Sequence, residues 1–429
     1  MKNNVGGNAK KIAKKKSVSP LIPLLLTIFI DLLGVGIVIP ILAPLFLIPF
    51  TSILPMDYTY EQRVLLMGVL SASYPLAQFF GAPLLGALSD RYGRKPMLII
   101  SLVGTLLGYL LFGFGIIQKN IALLFLGRII DGFTGGNISI AQSAIADISE
   151  PKTRARNFGF IGMAFGLGFV LGPYIGGKLV DPTVISWFTQ STPYFFTAIL
   201  TAINILSLYF LFPETLKEAI HVKISFTSGF RNLYKAFTLR NLRTLFVVSF
   251  LLTFGFNFFT QFFNAFLIEK FHVTPSEAGD VFAFMGLCIA IVQGGLLPIV
   301  NKRFKSEQIL RVSIFGLAIG FILLLLPDQK VWIFAVLPIL AFFQGLTQPN
   351  ITALISLSGK DNSQGDILGG NQSINSLAMA IPPIISGLIF SINISLPISV
   401  AAGVTLIAWL VFTIFIGKSA VGKTKFEEE

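Results

Sequence analysis

The sequence predicts an all-α membrane protein, with twelve transmembrane helices in two six-helix halves. Three observations lead there. Of its residues 54% are hydrophobic and only 12% charged, with a mean hydropathy of +0.79, whereas soluble domains carry about a quarter charged residues. The apolar runs are about 20 residues long and lack the two-residue alternation of barrel strands, so each suits a bilayer-spanning helix. Finally, three segments recur at nearly constant spacing. Gly132-Phe-Thr-Gly-Gly-Asn-Ile138 returns as Gly345-Leu-Thr-Gln-Pro-Asn-Ile351, Leu84 to Tyr92 as Leu296 to Phe304, and Gly172 to Gly177 as Pro382 to Gly387. Such spacing indicates duplicated halves, and parallel repeats place a substrate site near the midplane between them. A duplicated channel subunit is the competing explanation.

In chain order, residues 1–20 form a basic terminus. Six spans follow within 21–213, at 21–47, 64–88, 97–117, 121–146, 157–180 and 193–213. A connection at 214–243 leads to six more within 244–417, at 244–270, 277–300, 308–327, 330–357, 366–391 and 396–417, and 418–429 is a tail. The apolar start is too long for a signal h-region and lacks a small-residue cleavage site, so it reads as a retained helix. In the central connection, Phe230, Leu233, Tyr234 and Phe237 follow a helical spacing with Arg231 and Lys235 between them. An interfacial helix and a solvated linker both fit this pattern.

An even number of spans puts both termini on one side, and charge identifies it. Of the 32 Lys and Arg residues, only Arg63, Lys119, Lys178, Lys270 and Lys330 fall on the alternate connections, and Arg128 lies within a helix. The termini and the Gly86–Pro96 turn are therefore expected in the cytoplasm, in a cell (inner) membrane. The net charge of +12 sits in short loops, so its expected partner is anionic lipid and not nucleic acid. A single cysteine, Cys288, excludes an intrachain disulfide or structural zinc site. Both His221 and His272 fall in predicted loops, which leaves carboxylates as proton carriers within the membrane. No Gly-x4-Gly-Lys-Ser/Thr loop occurs, so ATP is not expected to supply energy. No cofactor, metal or covalent chemistry is expected, and the chain is read as a monomer.

Four stretches carry the candidate chemistry. Asp31 opens Asp31-Leu-Leu-Gly-Val-Gly-Ile-Val-Ile-Pro40 as the eleventh residue of its helix, so about 15 Å into the bilayer. A mid-membrane acid is costly unless it faces a cavity and has a function. Arg128 and Asp131, within Gly127-Arg-Ile-Ile-Asp-Gly132, share a face of the fourth helix; a self-satisfied pair and a role in coupling are both open. The run from Gly168 to Gly177 places Gly168, Gly172 and Gly176 four apart, a stripe on which a helix can approach closely, and Pro173 favours a bend there. Gly86-Ala-Leu-Ser-Asp-Arg-Tyr-Gly-Arg-Lys-Pro96 is a charged turn between two apolar runs, carrying Asp90, Arg91, Gly93 and Arg94.

Together these stretches resemble the major facilitator superfamily, in particular its drug:proton antiporter branch, which includes the tetracycline exporters. The resemblance implies that Arg128 takes part in proton coupling with Asp31, and it leaves Asp131 as an acid where a neutral polar residue is usual. It makes Gly168, Gly172, Pro173, Gly176 and Gly177 the antiporter motif, a seam between the halves that closes the outer side. It also implies an inner gate in which Arg94 pairs with Asp147 and Asp90 meets the start of the eleventh helix near Gly365, contacts expected only when the halves close. Lys302 replaces the acid in the second half. The tetracycline exporters also carry an acid in the ninth helix and a histidine in the eighth, both missing here, so the substrate is not specified.

Substrate contacts are expected from amides on apolar helices. Asn257, Gln261 and Asn264 occupy one face of the seventh helix, and Gln78, Asn137, Gln344, Asn371 and Asn375 are single amides elsewhere. Helix-to-helix hydrogen bonding is the alternative for each. The overall expectation is an exporter of an amphiphilic or hydrophobic small molecule in exchange for protons. A proton- or sodium-coupled nutrient symporter on the same fold, or a sensor or scaffold that has lost transport, are the rivals.

Overall fold

The computed structural model describes residues 20–48, 52–149, 151–216, 230, 243–357 and 364–415. The terminal segments and most of the central connection, including its proposed interfacial helix, lie outside the described residues. The first half contains α1 (Leu21–Leu47), α2 (Tyr60–Tyr92), α3 (Arg94–Ile117), α4 (Ile121–Thr134), α5 (Asn137–Ile148), α6 (Pro151–Leu179) and α7 (Thr192–Leu211). The second contains α8 (Arg243–Phe271), α9 (Pro275–Ile291), a π turn (Val292–Leu296), α10 (Leu297–Arg303), α11 (Ser306–Leu323), α12 (Lys330–Leu357), α13 (Gln364–Phe390) and α14 (Leu396–Phe415). Among the described residues, eleven helical stretches are long and apolar enough to cross a membrane. The 29-residue α6 supplies the remaining span.

Two expected helices are interrupted. The fourth span breaks at Gly135–Gly136 into α4 and α5, and the eighth carries the π turn at Val292–Leu296. Both interruptions contain a Gly-Gly pair, which lacks the side-chain packing that holds a helix straight. The charged turn between spans two and three is also shorter than expected. Only Gly93 is non-helical, with φ of 110°, so Asp90 and Arg91 end α2 while Arg94 begins α3. A side chain at Gly93 would be strained at that φ and would meet Glu214 Oε2 at 2.5 Å.

Within the first half, α1 lies against α6 and α7, while α3 is flanked by α4 and α7. The second half has α8 against α13 and α14, and α11 between α12 and α14. The halves meet where α1 faces α8, α2 faces α13 and α6 faces α9. Backbones approach closely there: a Cβ on Gly177 would lie 2.7 Å from the Pro275 carbonyl, and one on Gly387 would lie 3.1 Å from the Val64 carbonyl. These approaches fall toward the face opposite Gly93. On that side, phenylalanines of the second half fill the core: Phe259 packs on Phe263 and Phe321, and Phe262 on Phe390.

Candidate functional site

The first half buries three charged side chains at mid-span: Asp31 on α1, Arg128 and Asp131 on α4 are 5%, 8% and 4% exposed. No ion pair joins Arg128 to either acid. Its guanidinium instead lies 5.1 Å from the Phe112 ring centre and 5.9 Å from that of Tyr74, and Phe112 stacks on Tyr194 at 4.3 Å. The self-satisfied Arg128–Asp131 pair is therefore not what forms; cation–π contacts hold the arginine. Gly108 makes the packing possible, because a Cβ there would lie 2.7 Å from Asp131 Cβ and 2.8 Å from the Gly127 carbonyl. Gly108, Tyr109, Phe112, Gly127, Arg128, Asp131 and Tyr194 together line one small gap.

Asp31 is held by the broken fourth span. Asn137, the first residue of α5, donates from Nδ2 to Asp31 Oδ1 at 2.6 Å, and Asp31 Oδ2 has no partner. The break itself is answered by side chains, as buried helix ends in a membrane require. Gln78 on α2 donates to the Gly135 carbonyl at 2.8 Å, and Ser101 on α3 donates to the Thr134 carbonyl. Gln78 and Asn137 were expected to contact substrate, and in this structure both serve the break. Below Asp31 on α1, Thr27 donates to Asn204 Oδ1 at 3.2 Å. Asn204 is fully buried on α7; a lone amide in an apolar span was its only signal in the sequence.

At the Gly93 face, Arg94 Nε lies 3.1 Å from Asp147 Oδ2 and its Nη1 lies 2.5 Å from Asp90 Oδ1 and 2.7 Å from Ser89 Oγ. The expectation that these contacts need closed halves is corrected: Asp90, Arg94 and Asp147 all belong to the first half, so their pairing joins α2, α3 and α5 alone. The start of α13, which Asp90 was expected to meet, has no described side chains near Gly365. Arg91 is exposed and lies over the Tyr92 ring at 5.2 Å.

Glu214, just beyond α7, completes this cluster and was missed. Its carboxylate accepts the N–H groups of Arg94 at 2.9 Å, Lys95 at 3.1 Å, Thr215 at 2.8 Å and Leu216 at 2.9 Å. Burial pushes its proton affinity up, but the backbone bonds from Leu216, Arg94, Lys95 and Thr215 outweigh this and hold the carboxyl below its ordinary value. An acid three residues past α7, facing the first turn of α3, is stabilised there by the helix dipole.

The glycine stripe packs on a different partner from the one expected. A Cβ on Gly172 would lie 2.8 Å from Gly36 Cα, and one on Gly168 would lie 2.8 Å from Leu32 Cβ, so Gly168, Gly172 and Gly176 press α6 onto α1 of the same half. The contact across the halves comes from the neighbouring face. Gly177 meets Pro275 and Gly279 of α9, and a Cβ on Gly279 would lie 2.6 Å from the Pro173 carbonyl. Beside it, Lys178 Nζ lies 3.0 Å from Asp280 and 2.9 Å from Ser276 Oγ, an inter-half ion pair that the motif reading missed.

Of the six remaining candidate amides, Asn264, Asn371 and Asn375 join helices. Ser249 on α8 donates to Asn371 Oδ1 at 3.0 Å and Asn375 Oδ1 at 3.3 Å, and Thr253 donates to Asn375 at 3.1 Å. Asn257 donates to the Thr253 carbonyl of its own helix at 2.8 Å. Asn264 donates to the Ile39 carbonyl at 3.2 Å, which bridges α8 to α1 across the halves. Gln261 and Gln344 are half-buried.

A sequence model of the Major Facilitator Superfamily matches residues 24–383. The chain belongs to this superfamily. It is a multi-pass integral membrane protein with the superfamily's two-half helical fold. The tetracycline resistance protein, class C, of Escherichia coli is 29% identical over 381 residues, 89% of this chain and 92% of that protein. Multidrug resistance protein 2 of Bacillus subtilis (strain 168) is 27% identical over 423 residues, 97% of this chain and 98% of its own. The crystal structure of a D-xylose-proton symporter superposes with a TM-score of 0.71 over 91% of this chain and 96% of its own, at 14% identity. That likeness concerns the fold alone.

Proposed function

We propose that this chain exports an amphiphilic or hydrophobic small molecule in exchange for protons by alternating access. The observation that carries the reading is that Asp31, Asp131 and Arg128 are all buried at mid-span of the first half, two acids and one guanidinium in an apolar bilayer region. With both acids ionised the three side chains have one excess negative charge, and a single proton neutralises it. Mid-membrane ionisable groups of this kind serve ion pathways. Resistance proteins among the relatives support export, as does the glycine-rich run from Gly168 to Gly177.

Alternating access then has a division of labour. The structure is closed toward the face opposite Gly93, at the α6–α9 and α2–α13 contacts, so substrate enters from the Gly93 face, which we place in the cytoplasm with both termini. Arg94, Asp90, Asp147 and Glu214 tie the ends of α2, α3, α5 and the chain beyond α7 into one plate, which moves with the first half. Protons arrive at Asp31 when the opposite face opens. The protein works as a monomer in lipid and needs no cofactor.

Asp31→Asn tests the reading. In inverted membrane vesicles the variant inserts at wild-type levels and loses proton-driven accumulation of amphiphilic dyes that the wild type concentrates. Accumulation at the wild-type rate would refute proton coupling through Asp31.

A further inference from the structure

We infer that Asn137 is a positioning residue that transmits the charge of Asp31 to the α5 segment through the break in the fourth span. The inference rests on the proton-exchange reading above. Its basis is one amide with two engagements. Asn137 Oδ1 accepts the N–H of the next residue, Ile138, at 2.8 Å, one of the free N–H groups at the start of α5, while Nδ2 donates to Asp31 Oδ1 at 2.6 Å. Asn137 is fully buried, so no water competes for either end.

The two sides of the break are held by different partners. Gln78 and Ser101 fix the last carbonyls of α4 to α2 and α3, whereas Asn137 fixes the start of α5 to α1. Between them lie Gly135 and Gly136, where rotation meets no side chain of its own. α5 can therefore shift while α4 stays. Within the twelve-residue α5, Asn137 and Asp147 lie about 15 Å apart along the axis, and Asp147 pairs with Arg94 at the Gly93 face. One short helix thus connects the acid in the bilayer to the ion cluster at the surface.

The charge dependence follows from hydrogen-bond chemistry. A carboxylate accepts an N–H bond about twice as strongly as a neutral acid does, so ionised Asp31 draws in Asn137 and a proton on the unpartnered Oδ2 releases it. The other titratable groups that interact with Asp31 are Tyr74 on α2, Tyr109 on α3 and Asp131 on α4; Arg128 and Tyr194 lie beyond them, lining one gap with Tyr109 and Asp131. The face of α6 packed on this part of α1 offers Gly168 and Gly172, and α8 carries its charged residues only near its ends.

The test needs no known substrate. In a Cys288→Ser background, Ala146→Cys reports the position of α5 through its alkylation rate by a maleimide, measured from pH 5 to 9 on purified protein. The wild-type rate should switch with one midpoint, and Asn137→Ala should flatten that switch, because α5 has lost its link to the charge of Asp31. Asn137→Ser, which restores a donor, should bring the switch back in part. Should Asn137→Ala fail to fold, Asn137→Asp keeps the acceptor for the Ile138 N–H and removes the donor, and should flatten the switch as well. A purely structural role would lower the melting temperature and leave the switch in place, which overturns the inference. Asp31→Asn separates the two readings: a pH switch that survives it removes Asp31 as the proton site, whereas its loss together with a switch that persists in Asn137→Ala removes only the role of Asn137.

Discussion

The two halves share one helical plan yet bury different chemistry. The first half encloses Asp31, Arg128 and Asp131 at mid-span, whereas the buried polar residues described in the second half are hydroxyls and amides, such as Ser249, Asn257, Ser313, Thr347 and Asn371. The difference extends to backbone breaks. In the first half the Gly135–Gly136 break sits beside a carboxylate and is held by Gln78, Ser101 and Asn137; in the second, the π turn presents Gly294 and Gly295 to open space. Among the described residues, buried mid-span charge occurs in the first half only. On the proposed reading, proton handling belongs to the first half, and the described part of the second supplies a neutral wall.

The largest test of this contrast removes the guanidinium. Arg128→Met leaves two buried acids with no cation among them, a loss on the order of 3 kcal/mol when one member of a buried charged group is deleted. Thermal unfolding in detergent should fall by several degrees, and proton-driven transport should vanish. Arg128→Lys keeps the charge without the flat stacking on Phe112 and Tyr74, so it should recover stability in part. Unchanged stability in Arg128→Met would mean that the acids are held neutral and that the halves differ less than their sequences do.

Next in size are the glycines, and they show what the sequence could and could not reveal. Gly168, Gly172 and Gly176 were legible as a surface for close approach because a four-residue spacing fixes a helix face. It does not fix which helix lies opposite. Gly177 follows Gly176 by about 100° around the helix, so adjacent glycines face α9 and α1, one across the halves and one within the first. Gly172→Leu should therefore destabilise the folded protein by about 1–3 kcal/mol through overpacking on α1. Gly177→Leu should leave a folded protein whose opposite face opens more readily, read as faster alkylation of a cysteine introduced at Ser276. Equal effects of the two changes would contradict this division.

Other features were legible to unequal degrees for similar reasons. Twelve spans and their two-fold repeat follow from apolar length and self-similarity, which depend on no tertiary contact. The break after Thr134 was not visible, because isolated glycines are tolerated in helices and only the partners Gln78 and Ser101 make a break stable. Asp31 stood out as a lone acid in an apolar run. Glu214 and Lys178 did not, since charges at helix ends are ordinary and their partners lie 120 and 102 positions away in sequence.

The smallest expected effect probes the neutral side. Ser249 donates to both Asn371 and Asn375, and Thr253 donates to Asn375 as well. Ser249→Ala removes one shared donor, while Thr253 still serves Asn375. Hydrogen bonds between membrane helices average about 0.6 kcal/mol, so the melting temperature should move by a degree or so. Transport rate and its pH profile should stay within twofold of wild type. If Asn371 and Asn375 instead contact substrate, freeing them from Ser249 would change the apparent KM for an exported dye without changing stability. A changed KM would place cargo against the second half, where the amides were first read as cavity residues; an unchanged KM with a small stability loss would leave them as the glue between α8 and α13. The decisive comparison is with Arg128→Met: one hydrogen bond and one buried charge, at similar depth in sister halves, should differ about fivefold in stability.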